Sequence, residues 1–172
     1  MTWDDQTRDG RMTRDDRTAA EHRVIRLAVP GDLPAVERIV EAAYRPWAEL
    51  IGIRPKPMDD DYAARIAAGR VHLLEEPEEG VAGLIVLVPE DGVLLVDNVA
   101  VVPGRHGRGL GRALLAFAET QARTAGLGAL RLYTNALMGP NIALYERLGY
   151  QITERRRSGP RDVVFMTKRL DD

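Results

Sequence analysis

Hydrophobic and polar positions along the chain change period several times, and each change marks an element. Val24 to Ala28 alternates briefly and predicts a short strand. From Pro30 to Trp47 the spacing becomes helical, with Leu33, Val36, Val40, Ala43, Tyr44 and Trp47 on one face. Pro34 suits the first turn of that helix. A Pro- and Gly-containing loop is expected over 48–58, and Asp59 is the expected N-cap of a second helix reaching Ala68. Strands follow at Val71–Glu75 and Val81–Val88, joined by a turn at 77–80. After Asp91-Gly92, the apolar run Val93–Val102 predicts a long central strand. A helix is expected from Gly109 to Ala125, carrying Leu110, Ala113, Leu114 and Phe117 on one face. Then come a strand at Ala129–Asn135 and a short helix at Pro140–Leu148 closed by Gly149. Two last strands, 150–157 and 162–169, form a hairpin around Ser158-Gly159-Pro160. The order β-α-α-β-β-β-α-β-α-β-β is mixed α/β, in one domain over 23–172. Residues 1–22 are polar and aperiodic and are expected to be a mobile tail.

The strand-to-helix junction at 99–112 carries the clearest chemistry. Gly104, Gly107, Gly109 and Gly111 alternate with Arg105, His106, Arg108 and Arg112. Glycine permits positive φ and lets backbone approach a ligand with no Cβ between. A helix starting there presents unpaired N–H groups and the positive end of its dipole. These features suit a phosphate or pyrophosphate cradle. The loop ends Leu-Gly-Arg-Ala rather than Gly-Lys-Ser/Thr, which argues against a nucleoside-triphosphatase loop. Its glycine spacing also departs from the dinucleotide pattern Gly-x-Gly-x-x-Gly. A plain tight turn with solvated arginines is the alternative.

Composition narrows the class. The chain has 172 residues, 45% hydrophobic, enough for one core. A net charge of −2 gives no basic excess for nucleic acid. Without cysteine there can be no disulfide, thiolate nucleophile or cysteine-ligated metal. The longest apolar run is too short for a membrane span, and no secretory-type apolar segment opens the chain. A soluble cytoplasmic protein without a metal is expected.

The segment His106-Gly107-Arg108-Gly109-Leu110-Gly111 resembles the pyrophosphate loop of the GNAT-type N-acetyltransferases, Gln/Arg-x-x-Gly-x-Gly/Ala, with His106 in place of the usual first residue. Asn141, Tyr145, Gly149 and Tyr150 resemble the family's later motif, Asn-x-x-x-Tyr-x-x-x-Gly-Tyr/Phe. Residues 25–34 and 54–58 are similar to further segments of that family, so the likeness runs over about 23–170.

That resemblance implies a fold in which the central strand and the strand after the cofactor helix splay apart. It implies acetyl-CoA as cosubstrate, an amine acceptor, and homodimers as a common state. The cofactor would be held by the amides of 106–112, by Arg108 or Arg112, and by the backbone of Val101. Val99 N–H would be the oxyanion donor. Tyr145 would be the general acid, since a tyrosine of ordinary pKa, about 10, still holds its proton when a thiolate leaves. Asn141 would hold the pantetheine arm or the start of the short helix. Some relatives carry a basic Glu where this chain has Leu95. Asp97, two residues on, is the first candidate to replace it, with Glu146, His72 and His22 weaker choices. The acceptor pocket would draw on Tyr44, Trp47, Arg54, Lys56, Met58, Tyr62, Tyr133 and Asn135. Arg54 and Lys56 point weakly to an anionic group on the acceptor. The reaction implied is direct attack of a primary amine, of a small molecule or peptide, on the thioester. The competing reading is a non-catalytic acyl-CoA-binding sensor or interaction domain, which would keep the loop and dispense with acid and base. A nucleotide-binding protein is a third reading.

Overall fold

The computed structural model describes residues 22–171 together with Arg17 and Thr18. The expected tail therefore falls almost entirely outside the described residues. Seven strands form one sheet: β1 (Val24–Leu27), β2 (Val71–Glu76), β3 (Gly80–Glu90), β4 (Val93–Val101), β5 (Ala129–Asn135), β6 (Gln151–Arg156) and β7 (Val163–Arg169). Their spatial order is β1-β2-β3-β4-β5-β7-β6. Every pairing is antiparallel except β4 with β5.

Among the described residues, the helices α1 (Leu33–Ile51), α2 (Tyr62–Ala67), α3 (Leu110–Thr124) and α4 (Gly139–Arg147) cover the two faces. Val36, Val40 and Tyr44 of α1 and Ile66 of α2 pack against Leu73, Leu84, Val86 and Ala100 on one face of the sheet. Leu110, Leu114 and Ala118 of α3 and Leu144 and Tyr145 of α4 pack with Ile85, Val96, Val99 and Leu132 on the other. The sheet buries both faces, which explains the continuous apolar runs of β3 and β4. No helix among the described residues is long and apolar enough to cross a membrane.

Several boundaries differ from those expected, each for a local reason. Pro30–Asp32 form a 3-10 turn, so α1 begins at Leu33. It passes Trp47 and runs to Ile51, because Ala48 to Ile51 are good helix formers and Gly52, at φ 78°, supplies the left-handed stop. The loop expected over 48–58 is correspondingly shorter and contains a 3-10 turn at Lys56–Asp59. Asp61, not Asp59, caps α2: its carboxylate accepts from Ala64 N–H at 2.9 Å. Gly109 is the N-cap of α3 rather than its first residue.

α3 comes close to the sheet at Gly83. A Cβ there would meet the carbonyl oxygen of Ala100 at 2.9 Å and Leu114 Cδ1 at 3.2 Å. Gly83→Ala must therefore push α3 or β4 aside, and about 1–3 kcal/mol of stability should be lost, measured by urea denaturation.

Candidate active site

The site begins where β4 and β5 stop pairing. Their parallel ladder runs from Val93↔Ala129 to Val96↔Leu132 and ends there. β5 continues through Tyr133 to Asn135 on β7 alone, and β4 continues through Val101 on β3 alone. A bulge in β4 coincides with the parting. Val86 pairs with Asn98, but the next residue of β3, Leu87, pairs with Val96, leaving Asp97 as the extra residue.

Strict alternation would place Leu95, Asp97, Val99 and Val101 on one face. The bulge reverses the phase instead. Leu94, Val96, Val99 and Val101 share the α3/α4 core, while Ala100 joins the α1/α2 core. Asp97 and Asn98, consecutive in sequence, both reach partners in the α1/α2 layer.

Backbone direction follows from one bond. Val102 N–H donates to Ala82 O of β3 at 2.8 Å. N–H groups alternate edges along a strand, so those of Ala100 and Asn98 also face β3. Those of Val99 and Val101 face the other edge, where the ladder to β5 has ended. Two backbone donors thus point into the gap, and both side chains are buried core.

Around the gap lies a satisfied polar network. Asp97 Oδ2 accepts from Arg65 Nη2 at 2.8 Å, and Oδ1 accepts from the Tyr133 hydroxyl at 2.8 Å. Tyr44 Oη donates to Asn98 Oδ1 at 2.5 Å. Asn98 Nδ2 donates to Tyr62 Oη at 3.0 Å, and Tyr62 donates to Pro57 O at 2.6 Å. Burial, with Tyr62, Tyr145, Tyr133 and Asp97 nearby, holds the Tyr44 hydroxyl well above the usual tyrosine range. Burial first and Asp97 second push Tyr133 up as well. Burial raises Tyr62, so all three remain protonated donors at neutral pH.

Beside this network is a pocket of about 250 Å³. Tyr44, Arg54 and Asn135 line it, with Lys56, Asp97 and Tyr133. Trp47, Met58 and Tyr62 do not; they belong to the α1/α2 core behind it. Arg54 is committed elsewhere, to Asp59 at 2.7 Å and Glu41 at 3.0 Å.

The glycine loop lies beyond the other end of the gap. Gly104, Gly107 and Gly109 all take positive φ. At Gly109, φ 74°, a Cβ would meet nothing within 4 Å. The N–H groups of Gly107, Gly109, Leu110, Gly111 and Arg112 find no acceptor among the described residues. His106 Nε2 is buried and also without a partner there. The loop N–H groups lie at a helix N-terminus with open space at Gly109, the arrangement that suits an anionic group. Arg112 is exposed and makes no ion pair among the described residues. Arg108 is held by Glu79 at 2.9 Å and Glu76 at 3.3 Å, which raise its already high pKa.

The sequence matches the model of the acetyltransferase (GNAT) family over residues 35–150, more than half of its length. The chain belongs to the GNAT family. The ribosomal protein bS18-alanine N-acetyltransferase of Salmonella typhimurium is 30% identical over 78% of this chain and 89% of that protein. Streptothricin acetyltransferase of Streptomyces lavendulae is 37% identical, over 33% of this chain and only 30% of that protein. The fold is similar to that of the PaiA N-acetyltransferase of Thermoplasma acidophilum in complex with coenzyme A. There the TM-score is 0.70 at 17% identity, over 86% of this chain and 99% of that one.

Asn141 and Tyr145 of the later motif lie in α4, and Gly149 and Tyr150 follow it. Asn141 and Tyr145 are one turn apart and fully buried. Tyr145 meets Tyr150 edge-on at 5.9 Å between ring centres. Met138, not Asn141, occupies the N-cap, and Asn141 lies inside the first turn with Nδ2 3.8 Å from Met138 Sδ. His72 stacks on Phe117 at 4.9 Å, and burial lowers its pKa. It lies on β2, which pairs with β1 and β3 and not with the parting strands. Among the described residues no cluster of His, Asp and Glu is placed to hold a metal.

Sequence reasoning passed over Arg65, Asn98 and Arg161. Arg65 and Asn98 carry a usable signal, since both are polar within otherwise apolar patterns. Asn98→Leu removes the shared partner of Tyr44 and Tyr62. It should cost about 1–3 kcal/mol in urea denaturation, with Tyr62→Phe costing a similar amount because each variant removes two of the three bonds in the network.

Proposed function

We propose that this chain is an acetyl-CoA-dependent N-acetyltransferase acting on a primary amine. The observation that carries the reading is the pair of N–H groups, Val99 and Val101, aimed into the parting of β4 and β5. They lie on the strand that leads directly into the glycine cradle. Acetyl-CoA supplies the acetyl thioester. The open space at Gly109, the unpaired loop amides and the orphaned His106 Nε2 fit its pyrophosphate. Gly107, Gly109 and Gly111 keep side chains out of that space, and Arg112 is the loop cation with its charge uncommitted. Arg108 serves the cradle through its backbone while its side chain fastens the loop to Glu76 and Glu79.

In this reading Val101 holds the pantetheine arm by its backbone and Asn141 does so by its amide. Val99 N–H donates to the carbonyl oxygen as negative charge develops there. The amine nitrogen attacks the carbonyl carbon, an N–C bond forms and the C–S bond breaks. Tyr145 Oη gives its proton to the departing sulfur. The amine proton leaves toward Tyr133 and Asp97. Tyr133 Oη donates to Asp97, so its lone pair is turned outward to accept from the amine. Tyr44, Tyr62 and Asn98 position this wall, and the acceptor occupies the pocket beside it.

Gly109→Glu should abolish binding of acetyl-CoA in a calorimetric titration, because the carboxylate would fill and repel the anion site. Tyr145→Phe should lower kcat about 10²-fold or more while coenzyme A affinity is kept. Binding without turnover in the unaltered chain, over a broad amine panel, would instead favour the non-catalytic sensor.

A further inference from the structure

The charges lining the acceptor pocket are unequally committed. Asp97 is the one acidic group on the lining, and both its oxygens are engaged. Asp97 is paired with Arg65 and bonded by Tyr133, and Asp60 pairs with the same Arg65 at 3.1 Å. Glu41 and Asp59 are consumed by Arg54, which holds Glu41 below the usual carboxylate range. Two lining cations have no ion-pair partner among the described residues: Lys56 and Arg161. Lys56 Nζ lies only over the Tyr133 ring, at 5.9 Å.

Both cations stand on tethered turns. The Lys56 turn is tied down by Tyr62 Oη on Pro57 O, by Met58 N–H on Pro55 O at 3.0 Å, and by Arg54 on Met58 O at 3.2 Å. The Arg161 turn is tied to β5 by Asn135 Nδ2 on Pro160 O at 3.0 Å and by Ala136 N–H on Asp162 O at 2.9 Å. The turns come from chain segments a hundred residues apart and meet at one pocket. Held turns keep the two side chains rooted at the pocket, so less chain has to be ordered when an anion binds. Between them and Asp97 the walls are apolar, with Ile51, Ile53, Pro55, Met138 and Val163.

From this we propose that the acceptor is a small amine with an apolar body and a carboxylate, its amine toward Asp97 and Tyr133 and its carboxylate between Lys56 and Arg161. The inference rests on the acetyltransferase reading and names the substrate class of the same site. A cavity of about 250 Å³ accommodates a body of roughly amino-acid size.

The test uses acid and amide pairs on the full chain: L-leucine with L-leucinamide, 6-aminohexanoate with its amide, and spermidine as a polycation. Each acid should exceed its amide by about tenfold in kcat/KM, the value of one charge-assisted contact. Lys56→Ala and Arg161→Ala should each raise KM for the acids about tenfold, leaving kcat and the amides nearly unchanged. Calorimetric titration of the same probes, with and without coenzyme A, reads the pocket independently of turnover. Acid-selective binding without acetyl transfer would overturn the transferase reading and sustain the charge reading. Preferred acetylation of amides or spermidine would do the reverse. Equal binding of acid and amide, or binding of neither, overturns the inference.

Discussion

One extra residue in β4 governs the rest of the molecule. Asp97 has no separate partner on β3, and at that point β4 ceases to pair with β5. An unpaired backbone edge inside a two-layered domain is costly unless something satisfies it. Here the donors of Val99 and Val101 face the gap where the ladder to β5 has ended. The same bulge turns two consecutive polar side chains toward α1 and α2, so each backbone donor on one side of the strand has a polar wall beside it. Pocket, polar network and gap are therefore consequences of a single change of register.

The two faces of the sheet divide the work. The α3/α4 face carries the glycine loop, Asn141 and Tyr145, and it is packed tightly enough that Gly83 leaves no room for a methyl group. The α1/α2 face carries the tyrosines, Asn98 and the pocket. Burial keeps Tyr44, Tyr62 and Tyr133 protonated, so this face offers donors and a single compensated carboxylate. Arg65 and Tyr133 occupy one oxygen each of Asp97. Asp97 is thus the inner member of a pair on the central strand, with the Tyr133 hydroxyl bonded to it.

Much of this was legible in the chain. The helical spacing of Leu33 to Trp47, the glycines at 104–111 and the Asn141–Tyr145 pair each follow from local rules, and each falls on the element expected. What could not be read is what depends on a neighbour. Val93–Val102 is apolar except for Asp97 and Asn98, and nothing local marks a bulge that is set by register against β3. Arg54 looks like a free cation until Glu41, thirteen residues earlier on α1, is brought beside it. Arg161 sits in a hairpin turn that looks solvated in sequence, and only the topology brings it to the mouth of the pocket. Asp61 takes the place expected of Asp59 as a cap because Lys56–Asp59 form a 3-10 turn of their own and the helix begins only at Tyr62.

The central claim is that the parting of β4 and β5, together with the 106–112 loop, forms one ligand site. Backbone amide NMR of the full chain titrated with acetyl-CoA tests it most directly. The account predicts the largest shifts at Val99 and Val101, along 106–112, and at Asn141 to Tyr145, with β1 and β6 undisturbed. No shifts, or shifts confined to the loop with Val99 and Val101 unmoved, would contradict it.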